Sequence, residues 1–290
     1  MKKILSFPPI SFALDTAERF LKVGASRSAA ALSYFLILTL FPLLVCVNYF
    51  IGLFHLDLEN MLRSLDQLLP PGALAVIGDY LRYIANSQSP ALLLASLFTI
   101  LVSASAGMRT LLATMDGLHG TTLKRPVWRV VFSVALSALF LLTIYLSVVV
   151  IFTGEWFFRL LEENLPRHIA QLLPLDVLED LWPRMRYLLL FCFVLLLVLL
   201  VYRAGSPRGT VRASVVVLSS LLAALSISAA SVIFSWFIGM SSRYDLVYGS
   251  LASLIILLVW LYLCGNLLLL GATVGRVLEE RLAERKRKPS

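Results

Sequence analysis

The sequence predicts an all-α polytopic membrane protein, a six-transmembrane-helix bundle with interfacial amphipathic helices and both termini in the cytoplasm. Hydrophobic residues make up 59% of its 290 residues and charged residues only 14%, which is too apolar for a soluble protein of this size. Six apolar stretches recur along the chain and suit bilayer-crossing helices. Basic residues collect in alternate connections between these stretches, as they do on the cytoplasmic side of membrane proteins.

The predicted elements follow in order along a single integral membrane domain. Residues 1–28 form a basic segment whose apolar residues share one face at helical spacing, which indicates an amphipathic helix on the cytoplasmic surface. The six spans lie at about 29–54, 91–115, 127–152, 187–202, 211–238 and 247–274. The fourth span is the shortest and most uniformly apolar, which favours a lipid-facing position. Residues 275–290 form a basic cytoplasmic tail.

The outer connections and two special positions complete this prediction. The segment 55–90 contains two short amphipathic helices along the interface, and the segment 153–186 is acidic and interrupted by prolines. Pro42 lies inside the first span, where a proline kinks a helix. Gly271 and Gly275 at the end of the sixth span form a pair of small residues that permits close helix packing.

The distribution of charge sets the orientation. The predicted inner side holds 18 of the 25 lysines and arginines but only 6 of the 17 acidic residues. This asymmetry favours a cytoplasmic location for both termini. The net charge of +8 could suggest nucleic-acid binding, but the charges lie in loops and tails between spans, so we expect no nucleic-acid partner.

The residues that could support catalysis are dispersed. The three histidines lie in separate loops on both sides of the membrane, and the three cysteines fall inside apolar segments. No Walker sequence is present, and no histidine accompanies a membrane serine as the base of a hydrolase. The sequence therefore predicts no cofactor, no metal and no enzyme activity.

Four stretches together resemble the YihY/virulence factor BrkB family of bacterial inner-membrane proteins, which are sometimes labelled ribonuclease BN-like. They are 29–34 leading into Leu40-Phe41-Pro42, the stretch 103–107, the stretch YDLVYGS at 244–250, and 260–263 followed by 270–272. Asp116 stands where the family usually has asparagine, and 272–275 replaces an acidic ending. The resemblance implies a six-helix fold in the bacterial inner membrane, and it suggests the handling of lipid or lipopolysaccharide.

Arg109 is the charged residue placed well inside a predicted span. An arginine near the bilayer centre costs about 2.5–3.5 kcal/mol on insertion scales. Two alternatives explain it. Its long side chain can extend to the inner membrane surface, or its guanidinium contacts a phosphate or lipid headgroup.

The other candidates for headgroup or groove contacts have structural alternatives as well. Asp116 is either a helix-end loop residue or part of a network with Arg125, and Arg125 and Arg129 belong to a basic inner rim that serves topology or attracts anionic lipid. The remaining polar candidates could line a groove or bond between helices. They are Tyr34, Asn48 and Asn266.

These observations favour a non-enzymatic protein that handles or transports an anionic lipid or another amphiphile in the cell envelope. In this hypothesis the basic inner rim binds headgroups and a groove between spans binds tails. The alternatives are a membrane assembly protein that docks partners through its outer segments or tail, and a ribonuclease. A homo-oligomer or an envelope-protein partner remains open.

Overall fold

The regular structure is entirely α-helical in the part of the chain that the computed structural model describes, which is residues 8–54, 62, 71–84, 89–120, 130–143, 175–206, 211–240 and 252–287. The helices with defined ends are α1 Pro8–Lys22, α2 Ala25–Phe54, α3 Pro71–Ile84, α4 Pro90–His119, α5 Val130–Thr143, α6 Leu175–Gly205, α7 Ala213–Met240 and α8 Ala252–Arg287. The prediction of an all-α protein is confirmed for these residues.

Four of these helices are long and apolar enough to cross a membrane. They contain the stretches Ala25–Tyr49, Pro90–His119, Ala213–Phe237 and Leu254–Glu284, with mean hydropathies from 2.0 to 2.4. Helix α5 and the stretch Phe191–Gly205 of α6 are apolar but shorter. A helix needs about 20 apolar residues to span the hydrocarbon core. By length and composition, four of the described helices could therefore span a membrane.

Helix α4 extends beyond the predicted inner end of the second span. It continues past residue 115 to His119 and ends at Gly120, which adopts a left-handed φ of 63°. Glycine accepts this conformation without steric cost and is the usual residue after a helix end. Asp116 therefore lies in the last turn of the helix, so its assignment to a loop was wrong.

Helices α6 and α8 also extend beyond the predicted spans. Helix α6 begins at Leu175, inside the segment assigned to the outer side, and its inner end is buried in the core at Val198 and Tyr202. The expectation that this span faces lipid is therefore wrong for its inner end. Helix α8 continues without a break through the predicted tail to Arg287. Hydropathy did not indicate either extension because charged residues and Pro183 interrupt the apolar pattern.

The long helices pack closely through small residues. Helix α2 lies along α4 and α8, and α7 lies along α8 and α6. A Cβ atom added to Gly265 on α8 would lie 3.2 Å from the Cβ of Ala29 on α2. This is tighter than an ordinary carbon–carbon contact of about 3.5–4.0 Å. Pro42 lies within α2, which is helical from Ala25 to Phe54.

Helix α3 is the second short helix predicted for the segment 55–90, and it packs against the C-terminal half of α2 and against α8. Its residues Ile77 and Leu81 are buried in a cluster with Leu44 and Val45. Its 14 residues would extend about 21 Å at 1.5 Å per residue, which is too short to span the hydrocarbon core. The first predicted short helix of this segment lies outside the described residues, apart from Leu62.

Helix α1 docks on the extended end of α8. The side chain of Arg281 donates to Asp15 at 2.6 Å and to Ser11 at 3.0 Å, and it lies 5.2 Å from the ring centre of Phe12. Arg19 forms a second ion pair with Glu280. These contacts bring the described N-terminal helix and the end of α8 to the same end of the bundle.

Candidate functional site

A partly open cavity of about 690 Å³ lies between α2, α4, α5, α6, α7 and α8. Each of its 23 described lining residues is uncharged, and most are aliphatic or aromatic. The lining includes Leu32, Phe35, Gly107, Leu111, Phe140, Val194, Ile227, Trp260, Cys264 and Leu268. We call this space the central cavity. Its lining suits the apolar part of a ligand.

Three side chains form the main polar part of this lining, and we call them the polar corner: Ser228, Ser231 and Trp260. The indole Nε1 of Trp260 donates to the Oγ of Ser231 at 3.3 Å. The same Oγ donates to the carbonyl of Ile227 at 2.9 Å. Ser228 precedes Ser231 by one helical turn on α7, so both hydroxyls line the same side of the cavity.

The bundle is tightly packed one turn further along α8, toward the end at which α1 and the end of α8 meet. We call this group the inner closure: Met115, Tyr202, Ala223 and Gly271. The hydroxyl of Tyr202 donates to the carbonyl of Leu268 at 2.5 Å. A Cβ atom on Gly271 would lie 2.5 Å from the Tyr202 hydroxyl oxygen and 2.6 Å from the Ala223 Cβ. The inner closure therefore separates the central cavity from the end of the bundle at which α1 contacts α8.

A second, smaller space lies beyond the inner closure. It has a volume of about 10 Å³ and is lined by residues that include His119, Ser219 and Arg276. Arg276 pairs with Glu280 at 2.9 Å, and its Nε is buried with no partner among the described residues. A space of this volume is too small for a lipid headgroup.

Arg109 lies on the side of α4 away from the central cavity. Gly107 and Leu111, each two residues away, line the cavity. At about 100° per residue, two residues correspond to a rotation of about 200°, so Arg109 points about 160° away from each of them. It is half-buried and makes no ion pair or hydrogen bond with another described residue. Both alternatives for Arg109, extension to the membrane surface and headgroup contact, fit this outward face.

Tyr34, Asn48 and Asn266, which lie within the described helices, do not form a common site. Asn48 is buried and donates from Nδ2 to the carbonyl of Ile84 at 2.8 Å, which ties α3 to α2. Asn266 accepts from the Ser26 hydroxyl at 3.0 Å and so links α8 to α2. Tyr34 lies on the surface of the bundle and is 55% exposed. Arg125 and Arg129 lie outside the described residues.

The two glycines of the predicted packing pair lie at close helix contacts. Gly271 faces Tyr202 and Ala223 in the inner closure, as described above. A Cβ atom on Gly275 would lie 2.8 Å from the Oγ of Ser219 on α7. Helix α8 therefore approaches α6 and α7 through these two positions.

Comparison with known proteins adds a family to this geometry. The family model for virulence factor BrkB matches residues 16–290. The chain belongs to the virulence factor BrkB family. Three of the four stretches that carried the resemblance contribute residues to the central cavity, among them Leu32, Gly107 and Trp260. The fourth stretch, 244–250, lies outside the described residues.

Several bacterial proteins are similar to this BrkB family member. A ribonuclease-like protein, YfkH of Bacillus subtilis, is 24% identical over 274 residues, which cover 94% of this chain and 96% of the relative. A UPF0761 membrane protein of Alkalilimnicola ehrlichii is 27% identical over 283 residues. The match covers 96% of this chain but only 60% of that relative. No solved structure matches the chain significantly.

A shorter match is found in Vibrio cholerae, where a UPF0761 membrane protein is 36% identical over 95 residues, or 33% of this chain and 30% of the relative. These relatives and the apolar helices identify the BrkB family member as a multi-pass bacterial membrane protein. Among the described residues, no group of three histidine, cysteine or acidic side chains is arranged to hold a metal ion.

The sequence hypothesis includes a groove between spans, but sequence reasoning did not identify the residues that line the central cavity, and it missed the acidic contacts of α8. The cavity residues of α4 recur at helical spacing, but the same pattern is typical of any buried helix face. The sequence shows Glu279 and Glu280 as acidic residues within a basic tail, but it does not indicate which residues they contact. Glu279 accepts from the backbone N–H of Arg212 at 3.2 Å, and Glu280 pairs with Arg19 and Arg276.

Proposed function

We propose that this BrkB family member is a non-enzymatic protein of the bacterial inner membrane that binds or moves a lipid or another amphiphile through its central cavity. The proposal rests on one observation, the partly open, uncharged cavity lined by six helices. Its volume of about 690 Å³ lies in the range of about 300–1,000 Å³ that is usual for small-molecule sites. Membrane lipid is the ligand that surrounds such a site at high concentration.

The proposed topology has six spans in one integral domain, with both termini in the cytoplasm. The excess of basic residues at one set of connections supports this orientation. The contacts between α1 and the end of α8 support an even number of crossings, because they hold both elements at one end of the bundle. In this arrangement the basic inner rim faces the cytoplasmic leaflet, where it attracts anionic headgroups.

Two substitutions on α6 test the cavity with closely matched chemistry. Val194 lines the central cavity, whereas Leu196 does not line it and is 43% exposed. Val194→Trp should fill part of the cavity, and Leu196→Trp should place the same side chain against lipid. We expect Val194→Trp to lower labelling by a phosphatidylglycerol that carries a photoreactive acyl chain, and Leu196→Trp to leave it unchanged.

Labelling is measured in nanodiscs by mass spectrometry of the intact protein. Transfer of a fluorescent phosphatidylglycerol between liposomes gives a second readout. Equal labelling of the wild type and Val194→Trp would contradict the proposal. The assembly alternative predicts that a partner protein co-purifies with the chain in a fixed stoichiometry. Co-purified lipid would instead support lipid binding in the central cavity.

Because the Bacillus relative is named a ribonuclease-like protein, ribonuclease activity is an alternative to be tested. Metal-dependent ribonucleases need convergent carboxylates or histidines. Purified protein should cleave RNA in the presence of Mg²⁺ or Mn²⁺ if this alternative is correct, and Asp116→Asn should abolish the cleavage. We expect no metal-dependent cleavage from either protein.

A further inference from the structure

The polar corner offers hydrogen bonds to a ligand inside the central cavity. Ser231 uses its hydroxyl hydrogen for the carbonyl of Ile227 and receives the indole N–H of Trp260. A hydroxyl oxygen has two acceptor lone pairs, so one remains available. The hydroxyl of Ser228 makes no hydrogen bond with another described residue, so it can donate to a ligand oxygen. The corner can therefore serve an uncharged group that both donates and accepts.

The charge distribution around the cavity disfavours a charged group at this position. Each of the 23 described lining residues is uncharged. Arg109 lies on the opposite side of α4, and Arg276 lies beyond the inner closure in its ion pair with Glu280. An ion transferred from water into such a lining loses its hydration and gains no counter-charge. A hydroxyl or ester loses much less hydration and regains hydrogen bonds at the corner.

The position of the corner also orients the ligand. Trp260 lies two helical turns before Leu268 on α8, and Leu268 adjoins the inner closure. At 1.5 Å per residue these two positions are about 12 Å apart along the helix. The other lining residues of α8 between them are Leu261, Cys264 and Gly265, and the remaining polar lining residue, Ser137 on α5, uses its hydroxyl hydrogen for the carbonyl of Ser133. A ligand whose oxygen contacts the corner would therefore extend its hydrocarbon chain toward the inner closure.

We propose that the central cavity binds an uncharged long-chain alcohol or acyl ester, whose oxygen contacts Ser228, Ser231 and Trp260 and whose chain extends toward the inner closure. This inference rests on the proposed function and makes it more specific, because it names the chemical group inside the cavity. An anionic lipid is then bound with its ester region in the cavity and its charged headgroup outside it.

A competition series tests the inference on the wild-type protein in nanodiscs. The probe is hexadecanol with a photoreactive diazirine in its chain. The competitors share its chain length: hexadecanol, methyl hexadecanoate, hexadecyl sulfate and hexadecyltrimethylammonium. We expect the two neutral compounds to compete at least about fiftyfold better than the two ions, because a charge in a membrane interior costs about 2.5–3.5 kcal/mol.

The double variant Ser228→Ala, Ser231→Ala supplies an independent readout. Hexadecanol affinity should fall about twofold to tenfold for each lost hydrogen bond, while the affinity of hexadecane should stay unchanged. Equal competition by ions and alcohols would overturn the inference but leave the proposed function intact. Failure of every compound to compete, together with failure of Val194→Trp to change lipid labelling, would overturn the proposed function itself.

Discussion

Gly271→Ala is predicted to destabilise the bundle because the added methyl group has no room in the inner closure. The new Cβ would lie 2.5 Å from the hydroxyl oxygen of Tyr202 and 2.6 Å from the Cβ of Ala223. Ordinary contacts lie at about 3.5–4.0 Å. Tyr202 cannot rotate away without losing its hydrogen bond to Leu268. The Cβ of Ala223 can move only if the backbone of α7 moves with it. Helix α8 must therefore shift away from α6 and α7.

The magnitude follows from two opposing effects. Overpacking a well-packed site costs typically about 1–3 kcal/mol. Replacing glycine by alanine inside a helix gains about 1 kcal/mol. We therefore expect a net loss of up to about 2 kcal/mol for Gly271→Ala. Thermal unfolding in detergent, followed by intrinsic tryptophan fluorescence, measures this loss as a lower midpoint temperature.

Gly117→Ala is the matched control on α4. A Cβ atom at Gly117 would meet its nearest neighbour, Val23 Cγ1, at 3.9 Å, which is an ordinary contact. This variant should be as stable as the wild type or more stable. If Gly271→Ala and Gly117→Ala unfold at the same temperature, the close approach at Gly271 is refuted. Adding Ala223→Gly to Gly271→Ala should restore part of the loss, because it removes one of the two overlaps.

Three further predictions follow from individual contacts. Asn48→Ala should lower the unfolding free energy by about 1–3 kcal/mol, because the carbonyl of Ile84 loses its buried donor; the exposed Thr99→Ala, measured in the same thermal assay, should have little effect. Arg281→Ala should speed tryptic cleavage after Lys22 by loosening α1, with a cost of at most about 1 kcal/mol for a partly exposed pair. The control for Arg281→Ala is Glu18→Ala, which removes an ion pair with Lys22 inside α1. It breaks no contact with α8, so it should not loosen α1 from the bundle. Arg109→Ala should leave hexadecanol labelling unchanged, and a loss as large as that of Val194→Trp would show that the guanidinium reaches the cavity.

The sequence predicted the helices well where hydropathy alone determined them. The first span was placed at 29–54 and α2 is Ala25–Phe54, because an apolar run of this length fits few other structures. The ends of α4, α6 and α8 were missed because a helix can continue beyond the membrane in charged sequence. Gly120 was an available signal for the end of α4, since glycine often follows a helix.

The candidate site was harder to predict, because its chemistry is not distinctive in one dimension. Arg109 was noticed because a charge in an apolar helix is costly, yet its side of α4 faces away from the central cavity. The cavity is lined by residues that resemble any buried helix face. Which face of each helix encloses a space, and which packs against a neighbour, depends on the arrangement of all six helices. Periodicity within one helix does not contain that information.

The acids of α8 connect the ends of the chain to the inner closure. Successive residues on a helix point about 100° apart, so adjacent glutamates can reach different neighbours. Glu279 holds the start of α7 through the backbone N–H of Arg212, and Glu280 joins Arg19 of α1 to Arg276, which lies directly after Gly275. Opening the inner closure by moving α8 would strain these contacts. The described part of the tail is therefore a structural part of the bundle, and its residues Arg276 and Arg281 are held in ion pairs.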